Sequence, residues 1–148
     1  MRMIIKVEGM DDLKKTMLEV LEEMKQATGD GADACAEHLA AIVRRNAPDG
    51  PPNPKRGPGL KIKNNVITKK LPDKPGYPSV TMVGIDAKVG HQHMVEFGTG
   101  PRRHASGKSV GTMPASGFFR KSIDEGRRQI VGTMQTHCRK PIERRGGR

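Results

Sequence analysis

Residues 94–123 read MVEFGTGPRRHASGKSVGTMPASGFFRKSI, and the rest of the chain is organised around this stretch. Its first residues close a strand, expected over His91–Gly98. Gly98, Gly100 and Pro101 end that strand, because glycine permits a sharp turn and proline removes a ladder donor. Glu96, Phe97, Gly98, Thr99 and Gly100 are expected to form a structural corner, with Glu96 accepting from loop backbone or from Arg102 or Arg103. Arg102 to Thr112 is polar and basic and predicts a flexible loop. Met113-Pro114-Ala115 predicts the opening of the final helix, with Pro114 near its first position, where a missing N–H costs nothing. Phe119, Ile123, Gly126, Ile130 and Met134 then recur on one stripe, with Phe118 beside it. Phe118, Phe119 and Ile123 are the expected anchors of this helix, which runs to about Cys138 and is stopped by Pro141.

Upstream, Met3 to Val7 is a short apolar run that predicts a first strand. Asp11 or Asp12 is placed to cap a helix, since a carboxylate there accepts orphan backbone N–H groups. Leu13, Met17, Val20, Leu21 and Met24 form its apolar stripe. Thr28-Gly29-Asp30-Gly31 predicts a break or a kink, and a second helix follows from about Ala32 to Asn46, ended by Ala47-Pro48. Asp49 to Gly59 is a Pro/Gly-rich loop. Leu60 to Leu71 fits one strand or a hairpin, with Asn64-Asn65 as a turn or bulge. Pro72 to Pro78 is a second loop. Ser79 to Ile85 alternates as a strand, and Asp86 to Gly90 turns the chain. The fold class expected is α+β, a small antiparallel sheet packed with two N-terminal helices and one long C-terminal helix. Residues 1–140 form a single domain, and residues 141–148 a basic tail, disordered or ordered on binding.

The 148 residues carry a formal net charge of +11, with three Phe, one Tyr and no Trp. Such a core is thin, because aromatic side chains supply the most buried area per residue; stabilisation by subunit contacts follows naturally. The charge is uneven. Residues 1–49 hold seven Lys/Arg against ten Asp/Glu, and residues 50–148 hold twenty against six. That partition suits head-to-tail complementarity between copies, contact with nucleic acid, or simply a solvated basic surface. Cys35 and Cys138, far apart and outside any CxxC, give neither a zinc site nor a disulfide framework. No apolar stretch approaches membrane-spanning length, and the N-terminus does not read as a signal peptide.

Candidate chemistry is sparse. His91 and His93, two apart on the predicted strand, would share one face and could begin a metal site with His104 or Glu96. Residues 98–103 resemble a phosphate loop in composition alone, without the lysine or the strand–loop–helix spacing. Ser106, Ser109 and Ser116 lack a nucleophile elbow. No catalysis and no cofactor are therefore expected. The candidate partner or DNA contacts are Lys55, Arg56, Arg102, Arg103, His104, Lys108, Arg144, Arg145 and Arg148. Lys61, Lys63, Lys69 and Lys70 add to that basic surface. With few aromatics for base stacking, DNA contact would run through phosphates and be non-specific.

Taken together, the segments Gly9-Met10-Asp11-Asp12-Leu13, Asn46-Ala47-Pro48, Met94-Val95-Glu96-Phe97-Gly98-Thr99-Gly100 and Met113-Pro114-Ala115 through Phe118-Phe119-Arg120-Lys121-Ser122-Ile123 form a pattern. It resembles the tailed-phage head–tail connector, neck or tail-completion (minor tail) proteins of lambdoid siphophages. The loop before Leu60 is longer than that family's pattern, and the final helix opens with a different proline–phenylalanine spacing. The resemblance implies a virion structural protein, made in the host cytoplasm and placed at the head–tail junction. It implies a homo-oligomeric ring, six- or twelve-fold, that meets neighbouring connector, tail-terminator or tail-tube proteins and surrounds passing DNA. It implies no enzyme activity. The alternative from the residues alone is a small basic nucleic-acid-binding protein.

Overall fold

The computed structural model describes residues 8–49, 61–73 and 79–146. Its longest element is α1 (Met10–Asn46), 37 residues without interruption, about 55 Å at the usual helical rise. There follow β1 (Val66–Lys70), β2 (Thr81–Ile85), α2 (Gln92–Phe97), β3 (Thr99–Arg103), β4 (Ser109–Met113) and α3 (Phe118–Gly146). The architecture is α+β, with the strands paired as two separate antiparallel ribbons, β1–β2 and β3–β4. The strand expected over Met3–Val7 lies outside the described residues, as does nearly all of the Pro/Gly loop after Asp49.

The break expected at Gly29–Gly31 is absent, so the two N-terminal helices are one. Both glycines are buried within α1, where neighbouring elements press closest. A Cβ on Gly31 would stand 2.9 Å from the Met134 Sδ and 3.1 Å from the His137 Cβ of α3; one on Gly29 would stand 3.3 Å from the Ser79 Oγ. Each glycine costs about 1 kcal/mol of helix propensity, and packing of the flanking turns outweighs it. Gly31→Val is expected to force α3 away and destabilise the chain by about 1–3 kcal/mol, read as a lowered urea midpoint. The cap also differs from expectation. Gly9, at φ 84°, occupies the N-cap, and Asp11 and Asp12 lie inside the first turn. There their charge still complements the positive end of the helix dipole.

α3 packs antiparallel along α1. At one end Arg45 and Asn46 bond Glu125; midway the Cys35 thiol donates to the Ile130 carbonyl at 3.3 Å. At the other end Arg145 forks onto Glu23, with Nε to Oε2 at 3.0 Å and Nη2 to Oε1 at 2.7 Å. Burial pushes the Cys35 thiol up, so it stays protonated. Gly126 permits the approach at Ile42, whose Cδ1 would lie 2.9 Å from an added Cβ. The expected stop at Pro141 does not occur: α3 continues through it to Gly146. Beyond it the Arg145–Glu23 fork holds the last turn against α1.

The buried core joins Ala40 and Val43 of α1 and Ala47, its C-cap, to Ile62, Val66, Val89 and Phe118. Asn64 and Asn65 belong to a 3-10 turn, Ile62–Asn65, which feeds β1. β1 pairs with β2 from Val66↔Ile85 to Lys70↔Thr81. The ribbon is tied to α1 by Thr68 donating to Glu37 at 2.6 Å, and by Thr81 and Lys70 bonding Asp33. The Thr81 hydroxyl, and then Lys70, hold the Asp33 carboxyl below its usual value. The Arg145 fork does the same for Glu23, and Asn46 then Arg45 for Glu125. A carboxylate with a depressed folded pKa adds stability that is complete above its unfolded pKa and is lost as pH falls through the folded one. The melting temperature is therefore expected to hold from neutral pH to about 5 and to fall below about 4. Asp33→Asn should flatten part of that fall.

Candidate functional site: a clamped hairpin and a projecting helical arm

The strand expected over His91–Gly98 is instead the short helix α2. Asp86 accepts from the Lys88 N–H at 3.0 Å and starts a 3-10 turn. The His91 carbonyl then accepts from the Met94 and Val95 N–H groups. Gln, Met and Glu suit a helix, and six residues are too few to set a period. His91 and His93, two apart, fall about 200° apart around a helix, so the shared face that suggested a metal site is lost. Among the described residues no three His, Cys, Asp or Glu side chains are grouped to hold an ion.

Glu96 sits in the last turn of α2 and faces the opening of α3. Its Oε2 accepts the Phe119 N–H at 2.9 Å and its Oε1 the Arg120 N–H at 3.2 Å. The Val95 and Glu96 carbonyls accept from Ser116 and Gly117 at 2.9 and 3.1 Å. The first N–H groups of a helix have no partner inside it; here a carboxylate more than twenty residues upstream supplies one. α3 therefore opens at Phe118 rather than at Met113, because Ser116 and Gly117 bond to α2 instead of coiling. Pro114 is exposed and outside the helix. Glu96→Ala should cost about 1–2 kcal/mol, as loss of a charged cap does, and should speed amide exchange at Phe119 and Arg120. Next to it Gly98 turns the chain at φ 75° and ψ −177°.

The flexible loop expected over Arg102–Thr112 is a β-hairpin. β3 and β4 pair Thr99↔Met113, Arg102↔Gly111 and Arg103↔Ser109, with irregular register between them. The His104 N–H donates to the Lys108 carbonyl at 2.9 Å and the Gly107 N–H to the His104 carbonyl at 2.8 Å, closing the turn. Arg102 is half-buried and folds back with Nη1 3.8 Å from the Met94 Sδ; its buried Nε has no partner among the described residues. Arg103, His104 and Lys108 are exposed, and no carboxylate occurs over residues 99–113. Val110 is exposed on β4, and Phe97, just before β3, is 79 % exposed.

The remaining expected contacts divide. Arg144 is exposed on the last turn of α3. Arg145 is committed to Glu23 and, at 3.7 Å, to Glu19, so it is a structural clamp. Lys61 and Lys63 pair with Asp49, and Lys70 with Asp33. Lys55, Arg56 and Arg148 lie outside the described residues. Phe118 anchors α3 in the core and meets Phe119 edge-on, with centroids 6.3 Å apart at 78°. Ile123 is exposed; Phe118, Ser122 and Gly126 form the buried line, which shares Gly126 with the expected stripe, and Phe119, Ile130 and Met134 of that stripe are half-buried. A shallow, open depression is lined by Asn46, Ser116, Phe118, Lys121 and Glu125. Its polar groups bond one another: Asn46 to Glu125 and Ser122, and Lys121 to the Ser116 carbonyl at 2.7 Å.

A second surface has no counterpart in the expected site. Because α3 ends near Glu19 and Glu23, the first turns of α1 run beyond it. Residues 10–19 are all exposed. Leu18 and Leu21 are 66 % and 63 % exposed, and Met10, Leu13 and Met17 are exposed beside them. The amphipathic stripe was legible in sequence; that no element among the described residues covers it depends on where α3 stops. No helix among the described residues is long and apolar enough to cross a membrane. No family model, curated protein or solved structure matches the chain.

Proposed function

We propose that this chain is a structural virion protein of the head–tail junction, of the neck or tail-completion type. Its copies close into a ring, six- or twelve-fold, that joins the tail to the capsid connector and surrounds the DNA path. The observation that carries this reading is the surface. Among the described residues thirteen large apolar side chains are exposed, while the ten buried hydrophobic residues include three alanines. A chain with so little core and so much exposed apolar area gains stability from neighbours. The sequence resemblance over Glu96–Gly100 and Phe118–Ile123 supplies the particular assembly. Exposed Arg127, Arg128 and Arg139 on α3 favour the second reading, a small basic nucleic-acid-binding protein, or a ring that meets DNA through phosphates.

Sedimentation velocity and negative-stain microscopy of the purified chain test it, alone and mixed with connector and tail-tube proteins. Closed particles of fixed high order are expected. A chain that stays monomeric in every mixture, yet binds duplex DNA with affinity falling steeply as salt rises, would replace assembly with the nucleic-acid reading.

A further inference from the structure

Resting on the assembly reading above, we propose that the projecting half of α1 in one copy docks on the β3–β4 hairpin of the next copy. The arm presents Leu13, Met17, Leu18 and Leu21, all exposed; over residues 10–22 it carries Asp11, Asp12, Glu19 and Glu22 against Lys14 and Lys15, with Glu19 and Glu22 each 3.7 Å from a cation of their own chain, Arg145 and Lys25. The hairpin presents Val110, with Phe97 at the end of α2 just before it, both exposed, and carries Arg103, His104 and Lys108 with no carboxylate over residues 99–113. Both surfaces are apolar in part, and their net charges are opposite in sign.

Charge decides the pairing. Two arms side by side would join surfaces of net negative charge, and two hairpins would bring cations together. A formal net charge of +11 opposes contacts that do not match unlike patches. Of the pairings between these two patches, arm on hairpin buries apolar area while setting net opposite charges against each other, which also steers the encounter. The reach is sufficient: Met10 to Leu21 spans about 18 Å as helix, and a two-stranded ribbon is about 10 Å across with its side chains. Different patches on one chain make a heterologous contact, which closes into a ring when the rotation allows. The first turns of α1 and the hairpin thus become the two halves of one joint.

Cross-linking in a Cys138→Ser background tests the joint, because it removes the one half-exposed native thiol. Leu18→Cys and Val110→Cys chains are made separately, mixed and mildly oxidised, with particle size followed in parallel. A disulfide-linked dimer in the mixture, absent from either variant alone, is the expected result. Glu22→Arg should abolish it, and Arg103→Glu in the partner variant should restore it. A Leu18→Cys dimer formed alone would assign the arm to itself and overturn the proposal. An intrachain link between Leu18→Cys and Ile5→Cys, without the interchain product, would give the stripe to the chain's own amino-terminal segment and overturn it too. Wild-type-sized particles without the mixed disulfide would discard this joint and leave the ring standing; absence of particles from the wild type would discard the ring itself.

Discussion

Phe118→Ala is expected to destabilise the chain by about 3–5 kcal/mol, the usual cost of removing a buried phenylalanine. Phe118 is 2 % exposed and is the largest fully buried side chain among the described residues. It lies where α1, the turn before β1, the turn before α2 and the first turn of α3 meet. Most of its neighbours are Ala and Val, too short to fill the space it would leave. Domains of this size are stable by about 5–15 kcal/mol in all, so the loss is a large share of the total. At about 2–4 °C per kcal/mol, thermal melts should fall by about 6–20 °C. Phe97→Ala is the control. Phe97 is 79 % exposed, so its removal should leave the melt within about 0.5 kcal/mol of the parent while weakening assembly. If both variants melt alike, the core does not rest on Phe118.

The contrast between these two phenylalanines marks what the sequence could tell. Periodicity over long segments was informative: the apolar stripe of α1, the alternation of β2 and the existence of α3 were legible, because many residues vote for one period. Short or tertiary signals were not. Six residues, Gln92–Phe97, are too few to show either period, and the turn at Asp86 and the bonds of Glu96 to α3 set them as helix. Gly29 and Gly31 read locally as a break; their use in bringing α3 and Ser79 close depends on partners far along the chain. Pro141 read as a stop, yet the Arg145–Glu23 fork beyond it is a contact between residues 122 apart in sequence. The hairpin was hidden because GTGPRR and SVGTM hold few β-branched residues. At the candidate site, Arg103, His104 and Lys108 were legible as exposed cations. Arg145 was indistinguishable from Arg144 until α1 lay beside it.

Gly98→Ala is the second large loss expected, about 3 kcal/mol or more from backbone strain and overlap together. Gly98 has φ 75° and ψ −177°, a region essentially reserved for glycine. An added Cβ would stand 2.7 Å from the Ala115 backbone N and 2.8 Å from the Met113 carbonyl O. Both are backbone atoms, so no side chain can rotate away. Relief requires α2 to part from the segment that leads into α3. That separation would break the Ser116 and Gly117 bonds to Val95 and Glu96, and with them the carboxylate clamp on Phe119 and Arg120. The hairpin hangs between these points, so it should lose its orientation before the α1–α3 pair unfolds. Amide exchange at Ser116, Gly117, Phe119 and Arg120 should accelerate under conditions where Ala40 and Val43 remain protected. The Leu18→Cys to Val110→Cys cross-link should disappear at the same temperature. Gly100→Ala, two residues on, meets nothing within 4 Å at its Cβ and should leave both readouts unchanged. Equal protection of all these amides in Gly98→Ala would show that the corner is not what holds the hairpin in place.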